Sequence, residues 1–149
     1  MKPEPIAAAF EAFVAAFNSG DPAAFAAAIV DDESSFVAGT QRIASGRTEW
    51  LGNYQELVDR GLVGPDGAGL RLEAGNVRGF DEGRAGWAFA WLTFVFPDGA
   101  RLPTRATVVL RTEGDRWRVR HAHLSVAVPD DVAKERVAGW LKELGQSAA

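Results

Sequence analysis

Apolar positions in the first third of the chain recur at helical spacing. Ile6, Phe10, Phe13, Val14 and Phe17 fall on one stripe of a helix over Glu4 to Asn18. Alanines fill most of the positions between them and suit a helix. Ser19-Gly20 stops it, and Asp21-Pro22 starts a second helix, with Asp21 as N-cap and Pro22 at the first helical position. That helix carries Phe25, Ala28 and Ile29 on its apolar face and ends at Asp31-Asp32-Glu33. Ser35 to Ala38 reads as a short strand, with Gly39-Thr40 as the turn after it. Thr48 is placed to cap a third helix running to about Arg60, with Trp50, Leu51, Tyr54, Leu57 and Val58 on its inner side. Gly61, Gly64, Pro65, Gly67 and Gly69 predict a loop.

From Leu70 the period changes to two or to continuous apolar runs. The pattern predicts strands over about Leu70 to Phe80, Ala85 to Phe96, Leu102 to Thr112 and Trp117 to Val128. Asp81-Glu82-Gly83, Pro97-Asp98-Gly99 and Glu113-Gly114-Asp115 separate them as hairpin turns, which makes an antiparallel meander. An amphipathic helix over Pro129 to Leu144 follows, carrying Val132, Val137, Trp140, Leu141 and Leu144. Helices first and strands later indicate an α+β fold with helices against one sheet face. No repeat or linker divides the chain, so one domain over residues 1–149 is expected.

Strand alternation assigns faces. In the last strand Trp117, Val119, His121, His123 and Ser125 share one face. Arg105, Arg111, Arg118 and Arg120 suit an outer surface, which directs the Trp117-His121-His123 row inward. The strand from Ala85 is apolar on both sides, with Trp87, Phe89 and Trp91 in one row and Ala88, Ala90 and Leu92 in the other. A strand of that kind needs cover on both faces. The helices supply one cover, and a second copy is the simplest source of the other, so a homodimer through the outer sheet face is expected.

Composition narrows the function classes. With 47% hydrophobic and 24% charged residues among 149, the chain can build a core. A net charge of -4 argues against a nucleic-acid or anionic-membrane surface. The absence of cysteine excludes disulfides, thiolate metal sites and a cysteine nucleophile. Met1-Lys2-Pro3-Glu4-Pro5 is no signal peptide, and Glu11 and Asn18 interrupt the alanine-rich stretch, so a cytoplasmic protein is expected.

Several of these segments carry a family resemblance. The helical pair ending in Val30-Asp31-Asp32, the strand Ser35-Phe36-Val37, the Gly46 turn before a helix and the closing strand Trp117-Arg118-Val119-Arg120-His121-Ala122-His123-Leu124-Ser125 resemble the nuclear transport factor two-like superfamily. Within it the chain is most similar to SnoaL-like bacterial proteins. The resemblance implies a cone, in which a strongly curved antiparallel sheet wraps around N-terminal helices and a cavity opens at the wide end. The superfamily includes ketosteroid isomerases, polyketide cyclases, epoxide hydrolases and dehydratases, together with transport and assembly modules. The ketosteroid-isomerase aspartate would fall near Val37, which cannot take a proton, and Tyr54, the only tyrosine, lies on a different helix from the family's oxyanion tyrosine. The acid/base residue of SnoaL-type cyclases lies on a late strand, where His121 and His123 stand here.

His121 and His123, the only histidines, are therefore the candidate catalytic pair. Either imidazole can exchange a proton near neutral pH, and either can equally serve as an ordering hydrogen-bond group in a cavity wall. Two histidines lack the third ligand that a metal site needs, and Asp31, Asp32 or Glu49 would complete it only by a coincidence of folding, so neither metal nor cofactor is expected. Phe17, Trp50, Tyr54, Trp87, Trp91, Trp117 and Ser125 are the candidate ligand-binding residues, with ordinary core packing as the competing role of each aromatic ring. The expected function is a small-molecule binding protein, or a cofactor-independent isomerase, cyclase or hydrolase-like enzyme, acting on a small hydrophobic ligand. The alternative is a non-catalytic dimeric module for assembly or sensing.

Overall fold

The computed structural model describes residues 3–39, 43–65 and 69–147. Helices α1 (Pro3–Ser19) and α2 (Pro22–Ala27) precede strands β1 (Phe36–Ala38) and β2 (Ile43–Ser45) and helix α3 (Arg47–Asp59). The meander comprises β3 (Arg71–Asp81), β4 (Ala85–Val95), β5 (Arg101–Glu113) and β6 (Arg116–Val126), followed by helix α4 (Asp130–Ser147). Thr40 of the expected turn and Gly67 of the expected loop lie outside the described residues.

The stripe on the first helix is the face that is buried. Ile6, Phe10, Phe13 and Val14 sink into the core, and α1 packs on β3, with β4, β6 and α2 beside it. Asn18 ties the end of α1 to the sheet like a short strand. Its amide donates to the Leu72 carbonyl and accepts from the Leu72 N–H, each at 2.8 Å. Asp21 caps α2 as expected, accepting from the Ala23 N–H at 2.9 Å. The start of α3 differs. Gly46 rather than Thr48 is the N-cap residue and offers no side-chain cap. The Glu33 carboxylate supplies it from outside the helix, accepting from the Thr48 N–H at 3.2 Å and from the Thr48 hydroxyl. Glycine is required at 46, because φ is +92° there and a Cβ would strike that carboxylate.

The six strands lie in the order β2-β1-β6-β5-β4-β3, antiparallel except for β1 against β6. The sheet is curved and unclosed, and two irregularities bend it. In β3 the register shifts between Gly75 and Arg78, where Asn76 takes a left-handed φ of 52°. In β6, Val119 pairs with Leu110 but His121 pairs with Val109, so Arg120 is an extra, unpaired residue.

That single residue reverses the expected facing of the second half of β6. Trp117 and Val119 face the helices, but beyond Arg120 it is Ala122 and Leu124 that do so. His121, His123 and Ser125 turn to the convex side, opposite Val109, Thr107 and Arg105. Uninterrupted alternation from Trp117 placed them on the concave side, and one added residue exchanges the two faces. On β4 the small row, Ala88 and Ala90 with Leu92, is the buried one, while Trp87 and Trp91 stand on the convex face. The inner row is small because α1 lies close, and a Cβ at Gly86 would run into Ile6.

An ion network closes the end of the sheet where the segment after α2 meets β5 and β6. Arg111 donates to Asp32 at 2.6 Å and to Glu113 at 2.7 Å, and Arg118 lies 3.1 Å from Glu113. Hydrogen bonds from Ser34 and Arg111 hold the Asp32 carboxyl well below its ordinary value. Burial alone would raise Glu113, but Arg111, the Asp31 N–H and Arg118 outweigh it and lower it. A depressed folded-state value stabilises the fold above the unfolded value and is lost as pH falls. The native protein should therefore lose melting temperature on acidification below about pH 4.5. Arg111→Met should melt lower at neutral pH and show a shallower acid slope. Calorimetric scans against pH check this, and identical slopes would contradict it. Among the described residues no helix is long and apolar enough to cross a membrane.

Candidate functional site

Between the helices and the concave sheet face lies a cavity of about 270 Å³. Helix α1 contributes Phe10, Phe13 and Phe17, α2 contributes Phe25, and α3 contributes Trp50 and Asn53. The sheet contributes Leu72, Leu92, Phe94, Ala106, Val108, Ala122 and Leu124, with Val37, Gly39 and Ala44 from the β1–β2 region. The space has a simple origin in the sequence. Large rings project from the helices, while Ala44, Ala106 and Ala122 stand opposite them on the sheet and leave the volume unfilled.

The rings form a braced wall. Phe13 and Phe17 approach Phe25 at 5.4 and 5.9 Å between centroids, and Trp50 meets Phe25 at 6.2 Å with planes near perpendicular at 80°. Tyr54 stacks behind Phe25 at 4.1 Å. Its hydroxyl donates to the Phe17 carbonyl at 2.6 Å, and burial pushes the phenol up from its ordinary value. The hydroxyl is thus engaged with backbone. The Thr104 hydroxyl, also buried, donates to the Leu92 carbonyl at 2.6 Å. The exposed members of the lining are Gly39 and Asn53, which places the mouth between them. Asn53 and the indole N–H of Trp50 are the polar side-chain groups among the described lining residues, and none of these residues is ionisable.

The residues anticipated from the sequence separate into three places. Phe17 and Trp50 line the cavity. Tyr54 and Trp117 are in or against the core but off its lining, Trp117 packing beside Ala9, Ala12, Ala16 and Ala28 on the outer side of α1 and α2. His121, His123, Ser125, Trp87 and Trp91 stand on the convex face. The His121 ring stacks on Phe36 at 4.0 Å, and its Nδ1 lies 3.1 Å from the Phe36 carbonyl, a partner that calls for an Nδ1–H donor. The candidate acid/base pair and the cavity therefore lie on opposite sides of one sheet. Sequence reading missed Phe10, Phe13, Phe25 and Phe94, and the alanines that leave the cavity open. The available signal was the doublet Arg120-His121, two polar neighbours that break the period-two pattern between Val119 and Ala122.

A profile of the SnoaL-like domain matches residues 6–129. The chain belongs to this SnoaL-like family. The SnoaL-like portion holds every residue of the cavity lining, and α4 lies beyond it. Solved structures agree on the fold. A protein from Streptomyces avermitilis, proposed to be a dehydratase of the nuclear transport factor two-like family, superimposes with a TM-score of 0.71 at 17% identity, covering 85% of this chain and 96% of its own. A nuclear transport factor two-like protein with a cystatin-like fold from Novosphingobium aromaticivorans gives 0.69 at 18%, covering 89% and 86%. A proposed ketosteroid isomerase from Shewanella frigidimarina gives 0.63 at 19%, covering 79% and 92%. At these identities the likeness is one of fold. No curated protein sequence matches the chain.

Proposed function

We propose that this SnoaL-like chain binds a small, neutral, largely apolar molecule in its concave cavity, and that no described cavity side chain moves a proton on it. The observation that carries this reading is the lining itself, whose sixteen described residues hold no charge and only the Asn53 amide and the Trp50 indole N–H as polar groups. Burying a charge in such surroundings costs several kcal/mol unless it is paired, and the described lining offers no pairing charge. Size follows from volume. An apolar cavity of about 150 Å³ accepts benzene, so about 270 Å³ suits a molecule of one or two fused rings. Asn53 at the mouth would receive its one polar group.

Calorimetric titration with 2-naphthol and with 2-naphthoate tests the reading. The neutral phenol is expected to bind about tenfold or more tightly than the carboxylate of similar shape. Equal or tighter binding of the carboxylate would overturn it.

A further inference from the structure

Two apolar surfaces are left uncovered by the described residues. The first is on α4, where every described side chain from Asp130 to Gln146 is exposed, Trp140 by 58%. Its apolar residues Ala133, Val137, Trp140 and Leu144 follow the alternating four-three-four spacing of a packing seam. A helix of 18 residues carrying Gly139 and Gly145 in its interior is marginal in water without tertiary cover. The second surface is the convex sheet face. Phe80, Trp87, Val109, His121 and Phe36 line up in register across five strands, with Phe89 and Trp91 further along β4. Trp87 and Trp91 are 38% and 39% exposed.

We propose that α4 of each of two copies of this chain docks on the convex sheet face of the other, a reciprocal exchange that builds the homodimer. Area decides between the possible pairings. The helix is about 27 Å long and about 10 Å wide, a footprint of about 270 Å². The sheet patch measures about 19 Å across the strands and about 13 Å along β4, or about 250 Å². The two therefore match in size. One helix seated on one sheet buries about 500 Å² counting both sides, as would two α4 helices paired alone, and both fall short of the roughly 1,000 Å² of a stable interface, while two sheets paired alone would leave α4 bare. Reciprocal exchange doubles the figure and reaches it. The connection from Val126 to Asp130 is short, and within one chain it leaves both surfaces open.

Light scattering on the full chain and two variants tests the proposal. Trp140→Glu places a charge in the helix seam and Trp91→Glu places one in the sheet patch, both at exposed positions. At about 50 μM the native chain is expected to be a dimer and each variant a monomer. At about 500 μM an equimolar mixture of the two variants should show partial association that neither variant alone shows, because the mixed pair keeps one of the two contacts intact. Trp87→Ser replaces Trp91→Glu should the latter fail to fold. A monomeric native chain, or a mixture no more associated than either variant alone, overturns the proposal. So does a change confined to the Trp140 variant, which signals helix pairing, or to the sheet variant, which signals sheet pairing.

Discussion

Phe25→Ala is expected to cost about 3–5 kcal/mol of folding stability. Phe25 is 1% exposed and touches the rings of Phe13, Phe17, Trp50 and Tyr54, which together bring α1, α2 and α3 to one point. Truncation removes the transfer energy of the ring and enlarges a space that is already open. The surrounding side chains are fixed to the sheet by Asn18 and to backbone by the Tyr54 hydroxyl, so they have little freedom to collapse into it. Urea unfolding should show a lowered midpoint at an unchanged slope. A loss below about 1.5 kcal/mol would mean that the cluster is looser than its geometry.

Ala106→Trp should weaken ligand uptake by about a hundredfold or more with the fold retained. Ala106 lies in the central strand β5, between Ala90 on one side and Leu124 on the other, and points into the cavity. An indole placed there occupies space that a ligand would need. Overpacking a full core costs about 1–3 kcal/mol, but this ring enters a void, so the melting temperature should change little. Ala106→Leu, with a smaller added volume, should weaken the same ligand less. Undiminished uptake by the tryptophan variant would place the ligand elsewhere.

Much of the fold was legible because its causes are local. The α1 stripe, the Asp21-Pro22 start and the hairpin turns of the meander each act within a few residues. The features that escaped are long-range. The three residues of β2 are too few to show a period, and their order comes from pairing with β1. The cap of α3 comes from Glu33, and nothing near Thr48 in the sequence announces it. Most consequential is Arg120. Alternation over β6 is correct up to Val119 and inverted after it, because the extra residue is set by pairing with β5 rather than by β6 alone. The candidate site inherited that inversion. Histidines belong to the convex face, and the cavity is walled by phenylalanine, alanine, valine and leucine positions whose pattern in the sequence is that of any core.

The same inversion separates the two surfaces on which function can rest. The concave side offers volume and almost no polarity, whereas the convex side offers aromatic area and two imidazoles, the face on which we propose that α4 of a second copy docks. Binding and assembly can then proceed through one sheet without sharing a side chain.

The most direct test of this division is a calorimetric titration of 2-naphthol into three proteins, the native chain, Ala106→Trp and the double variant His121→Ala/His123→Ala. The cavity reading predicts equal affinity for the native chain and the histidine variant, and no measurable uptake by Ala106→Trp. Binding that vanishes with the histidines and survives in Ala106→Trp would contradict it.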